Sequence, residues 1–76
     1  MATAAKAAAQ VLNIEFDREE DGRWIAEVPE LPGVMVYGAT REEALAKVQA
    51  LAYRVIADRI EEQKEQPHSG VRFACA

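Results

Sequence analysis

Asp17, Glu19, Glu20 and Asp21 place four carboxylates within five positions, a grouping that could bind a cation or move a proton. A calcium loop, however, spaces its ligands over twelve residues around a central glycine, and this run has neither that spacing nor that glycine. It reads as a solvated hairpin tip. Glu42, Glu43, Asp58, Glu61, Glu62 and Glu65 recur along a later helical stretch and read as its wet face, the first two also complementing the helix dipole. No carboxylate pair is marked for acid–base work. His68 and Cys75 are the only histidine and cysteine. A catalytic thiolate needs a positioned base and a third group to orient it, and a zinc site needs about four ligands, so neither is expected from this pair. An intrachain disulfide is impossible with one cysteine. No glycine-rich loop with its lysine matches a phosphate cradle, and Ser69 stands in no nucleophile elbow. The expectation is a protein that is not an enzyme, with no catalytic, cofactor-binding or metal-binding residues.

Composition narrows the partners. A chain of 76 residues hides only about 60% of its unfolded surface, so its core must be thin. Met1 to Gln10 holds six alanines and cannot build a core, so 1–10 is expected to be a frayed tail and 11–76 the folded domain. The formal charge of -4 and a pI near 4.9 argue against direct nucleic-acid binding, which needs clustered lysine and arginine, and suit a basic partner. No secretory signal and no apolar run near about 20 residues is present, so no membrane association is expected and the location expected is cytoplasmic.

The elements that must position any surface follow from periodicity. Val11 to Phe16 alternates, with Leu12, Ile14 and Phe16 on one face and Val11, Asn13 and Glu15 on the other. Arg18 to Gly22 closes on Asp-Gly, a hairpin signal. Arg23 to Val28 returns with Trp24, Ala26 and Val28 inward. Pro29 and Pro32 interrupt the ladder, and Gly33 suits a turn closed to residues with a β-carbon. Val34 to Tyr37 forms a third strand ended by Gly38. Thr40 and Glu43 write a capping box. A helix from Arg41 to roughly Glu62 carries Ala44, Leu45, Val48, Leu51, Ala52, Val55, Ile56 and Ile60 on one stripe. After a linker over 63–70, Val71 to Ala76 alternates again as a fourth strand, laid by the crossover rule parallel to an earlier one. The order is β-β-β-α-β, an α+β fold with one helix on one sheet face.

One helix cannot cover both faces of a sheet. Val11, Ile25, Met35 and Tyr37 are surplus to the inward set, and apolar groups on an uncovered face are commonly completed by another subunit or a partner. Tyr37, with Glu19, Glu20 and Asp21, forms the set of expected contacts. Trp24, on an alternating strand, is expected to pack.

Ile14-Glu15-Phe16-Asp17, Asp21-Gly22-Arg23-Trp24-Ile25-Ala26, Pro29-Glu30-Leu31-Pro32-Gly33 and Gly38-Ala39-Thr40-Arg41-Glu42-Glu43-Ala44 together resemble the HicB-like antitoxin family of bacterial toxin–antitoxin systems, over about Val11 to Ile60. The resemblance implies a β-β-β-α-β core like a truncated ribonuclease H fold without the nuclease's catalytic acids, assembled as a dimer or tetramer. It implies as partner a small basic HicA-like toxin of double-stranded-RNA-binding fold, whose RNA surface and catalytic histidine the antitoxin masks. Two departures stand out. No helix-turn-helix or ribbon-helix-helix segment follows the core within 1–76, so operator binding is not expected, and Val34 stands where many relatives carry a cysteine. The likeness is to the short, stand-alone members. Two other readings are a solitary structural homo-oligomer without a toxin, and a metal-dependent ribonuclease H-like enzyme, which would need acids on the central strands and helix converging on a metal.

Overall fold

A computed structural model describes residues 10–62 and 70–75. The alanine-rich start over 1–9, the expected linker over 63–69 with His68, and Ala76 lie outside the described residues. The elements are β1 (Gln10–Arg18), β2 (Trp24–Glu27), β3 (Met35–Gly38), α1 (Arg41–Glu62) and β4 (Val71–Cys75). They make a four-stranded mixed sheet in the order β3-β2-β1-β4 with one helix, a small α+β fold in the expected β-β-β-α-β order.

β1 and β2 are antiparallel, joined by a tight hairpin in which the Glu19 amide donates to the Arg23 carbonyl at 2.8 Å and the Gly22 amide to the Glu19 carbonyl at 2.9 Å. Gly22 takes a φ of +92°, which favours glycine and explains the Asp-Gly signal. β1 runs two residues past the expected Phe16, because Asp17 and Arg18 pair with Ile25 and Trp24 across that hairpin.

The proline-bracketed turn between β2 and β3 holds itself closed by three backbone bonds of 3.0 Å: Val28 amide to Val34 carbonyl, Leu31 amide to Val28 carbonyl, and Val34 amide to Leu31 carbonyl. Gly33, at φ +89°, supplies the left-handed step. The turn is also anchored apolarly. Leu31, between the two exposed prolines, is buried in the core with Val28 and Val34 on either side.

α1 starts as its capping box demands. Thr40 Oγ1 accepts from the Glu43 amide at 3.0 Å, and the Glu43 carboxylate reaches back to accept from the amide of Ala39, one residue earlier than the usual reciprocal partner. A cap of this kind stabilises a helix by about 1 kcal/mol. One turn on, Glu43 Oε2 meets Lys47 Nζ at 3.7 Å, an i,i+4 pair in the favourable orientation.

The helix lies chiefly over β2 and β3, burying Ala44, Val48, Ala52 and Ile56 against Leu12, Ile14, Ala26, Val28, Leu31 and Val34. Two of its four fully packed positions are alanine, so strand and helix backbones approach closely, and Gly38 lies directly under Ala44. β4 pairs parallel with β1, Leu12 opposite Phe73, so the Phe73 ring joins the helix side, where Tyr53 of α1 packs on it edge-to-face at 5.4 Å.

Candidate functional site: the helix-free face of the sheet

Side chains alternate across a strand, so the residues that flank the buried ones in sequence all point away from α1. These are Val11, Asn13, Glu15 and Asp17 of β1, Ile25 and Glu27 of β2, Met35 and Tyr37 of β3, and Arg72 and Ala74 of β4. Met35 is 48% exposed and Tyr37 41%, with Ile25 half-buried beside them, while Val11, also 48% exposed, lies at the far end of β1 next to Arg72 of β4. The strand register sets them in rows: Met35, Glu27 and Glu15 in one, Tyr37, Ile25 and Asp17 in the next.

Arg23 organises the hairpin end of this face. Asp21 accepts from the Arg23 amide at 3.0 Å and from its Nε at 2.8 Å, and the guanidinium so held lies 4.5 Å from the centroid of the Tyr37 ring. Those bonds, the backbone one first, hold the Asp21 carboxyl below the usual carboxylate range. Of the four expected contact residues, Tyr37 and Asp21 are thereby brought together through an arginine that sequence reasoning passed over. Glu19 is half-buried and tied by its backbone into the hairpin, and Glu20 is exposed at the tip. Glu15 and Glu27, two central carboxylates, were also not among the expected contacts, because only the strand register shows that they face each other.

The other end of the face is closed by Glu30. Continuing the β1–β2 register would set Asn13 opposite Pro29, where the ladder ends. There the Glu30 carboxylate accepts from the Asn13 amide at 3.1 Å and from its Nδ2 at 2.6 Å. The side chain thus extends the sheet by one rung and straps the proline turn to β1. The bond from the Asn13 side chain, first among the causes, holds the Glu30 carboxyl below its ordinary value of 4.5. A carboxyl depressed by folding stabilises the fold above its unfolded pKa and loses that contribution as pH falls through the folded value. Parent and Glu30→Gln are therefore expected to differ in thermal midpoint near neutral pH, with the gap closing below 4.5. A gap unchanged by acid would show that the carboxylate carries no such bond.

The β3 edge of the sheet beside this face is guarded. Val28 bonds Val34, so by antiparallel alternation Met35 and Tyr37 turn their backbone groups outward from β3. Lys47 Nζ donates to the Tyr37 carbonyl at 3.3 Å, placing a charge where another strand would pair. On the opposite face Trp24 packs as expected, edge-to-face with Phe16 at 6.4 Å, with Arg18 over Trp24 at 5.2 Å and Arg41 over Phe16 at 4.1 Å.

No group of three or more histidine, cysteine, aspartate or glutamate side chains among the described residues is placed to hold a metal ion, and no described helix is long and apolar enough to cross a membrane. What the face offers is the apolar side chains Ile25, Met35 and Tyr37 beside two opposed central carboxylates and one stacked guanidinium, groups that bind another surface by burial and ion pairing. Comparison with protein-family models, with characterised proteins and with solved structures finds no match to this chain.

Proposed function

We propose that the chain is a non-enzymatic protein-interaction module, a cytoplasmic antitoxin of HicAB type that neutralises a small basic RNA-cleaving toxin by covering its RNA-binding surface. The observation that carries the reading is the helix-free sheet face, where Met35 and Tyr37 stand substantially exposed beside the half-buried Ile25. Contiguous apolar side chains left in water on a rigid sheet are the mark of a surface that meets a partner. The net charge of -4 agrees with a partner whose own task is to hold RNA and which is therefore basic. The likeness of the proline turn and capping box to HicB-like antitoxins supplies the identity of that partner.

The test is to express the short basic protein encoded beside this chain's reading frame, mix the two at equal concentration and assay cleavage of messenger RNA. Suppressed cleavage, with both proteins eluting in one complex, is the expected result. Undiminished cleavage, or a neighbouring frame that encodes no such protein, overturns the antitoxin reading.

A further inference from the structure

We infer that Glu15 and Glu27, opposed at the middle of the helix-free face, form a receptor for an arginine or lysine side chain of a basic protein, and that this pair selects such a partner over a second copy of the chain. The inference rests on the reading of that face as the docking surface and specifies what occupies it.

Directly opposed residues on neighbouring antiparallel strands hold their β-carbons about 4.5–5.5 Å apart, and like charges there destabilise the pairing. Glu15 and Glu27 are such a pair, both exposed, and among the described residues neither enters an ion pair. Among the described residues, the cations of β1, the β1–β2 hairpin and the start of α1 are engaged elsewhere. Arg23 is held by Asp21 over Tyr37, Lys47 lies between Glu43 and the Tyr37 carbonyl, and Arg18 and Arg41 stack on Trp24 and Phe16. Arg72 shares the face but sits opposite Val11, four residues along β1 from Glu15, a separation of about 13 Å at about 3.3 Å per residue.

The result is two uncompensated negative charges bordered by Met35 in the same row and Ile25 and Tyr37 in the next. A partner burying those apolar neighbours would lower the local dielectric and so strengthen the attraction for one cation placed between the carboxylates. The same pair discriminates. A two-fold dimer centred on this face would press Glu15 and Glu27 against their own copies, and like-charge juxtaposition of that kind suppresses a partner. A dimer or tetramer, where one forms, uses another surface. Nucleic acid and anionic lipid are repelled for the same reason.

The double variant Glu15→Gln/Glu27→Gln tests this twice. In the free chain it removes only repulsion, so its thermal midpoint at low salt is expected to equal or exceed the parent's. For docking, the probe is an end-blocked octapeptide of alternating leucine and arginine, with alternating leucine and glutamate as control, titrated into isotopically labelled chain. Expected are amide shifts confined to β1, β2 and β3 with the arginine peptide, none with the glutamate peptide, and affinity about tenfold weaker for the double variant. Equal binding of both peptides, shifts on α1 instead, a double variant less stable than the parent, or a free dimer that Met35→Asp dissociates would each overturn the inference. Peptide docking without suppression of RNA cleavage would sink the antitoxin reading and leave this one standing. Suppression that the double variant retains in full, without peptide docking, would do the reverse.

Discussion

Replacing Gly38 with alanine is expected to destabilise the fold by about 3 kcal/mol or more, lowering the thermal midpoint of a domain this size by about 12–24 °C. The reason is local and steric. Only Ala39 and Thr40 separate β3 from α1, so the helix must turn back at once over the strand it leaves. A β-carbon on Gly38 would stand 2.5 Å from the Ala44 amide nitrogen, 2.9 Å from its Cα and 3.1 Å from its Cβ. The obstruction is helix backbone rather than a flexible side chain, so relief requires moving the first turn and, with it, the Thr40 cap. A chain of this length has a total stability of roughly 4–11 kcal/mol, so the single methyl group removes a large share of it. Chemical unfolding measures the loss, and a value under about 1 kcal/mol would mean that strand and helix are not in that contact.

The second large effect separates the two faces of one strand. Ile14→Ala is expected to cost about 2–5 kcal/mol, because Ile14 is fully buried on the central strand β1, between β2 and β4, and the cavity left there cannot easily collapse. Val11→Ala, three residues earlier but on the opposite parity, is expected to change stability by no more than about 0.5 kcal/mol, since the side chain is 48% exposed. Comparable losses from the two variants would show that β1 does not present opposite faces to helix and solvent.

The elements were legible because each carries its own local chemistry. Leu12, Ile14 and Phe16 alternate with Asn13, Glu15 and Asp17, Asp21-Gly22 demands a left-handed turn, and Thr40 with Glu43 marks the first residue of the helix. The surplus of Val11, Ile25, Met35 and Tyr37 followed from the same alternation, which is why the candidate face was visible before its geometry was known. What escaped depends on register and on contacts distant in sequence. The opposition of Glu15 and Glu27 exists only because the hairpin places them in one rung. Asn13 and Glu30 are seventeen positions apart and meet because Pro29 ends the ladder between them. Leu31, bracketed by prolines, was legible as part of a turn but not as core. Arg23 looked like an ordinary strand charge until Tyr37 fell opposite its strand neighbour Ile25.

Recognition through the side of the sheet that α1 leaves bare is tested most directly by mapping amide shifts on the labelled chain as a catalytically inactive form of the proposed basic toxin is added. Expected are changes that saturate at one-to-one stoichiometry and centre on Glu15, Ile25, Glu27, Met35 and Tyr37. Changes centred on the solvent-facing residues of α1, such as Glu42, Arg54 and Glu61, would contradict it.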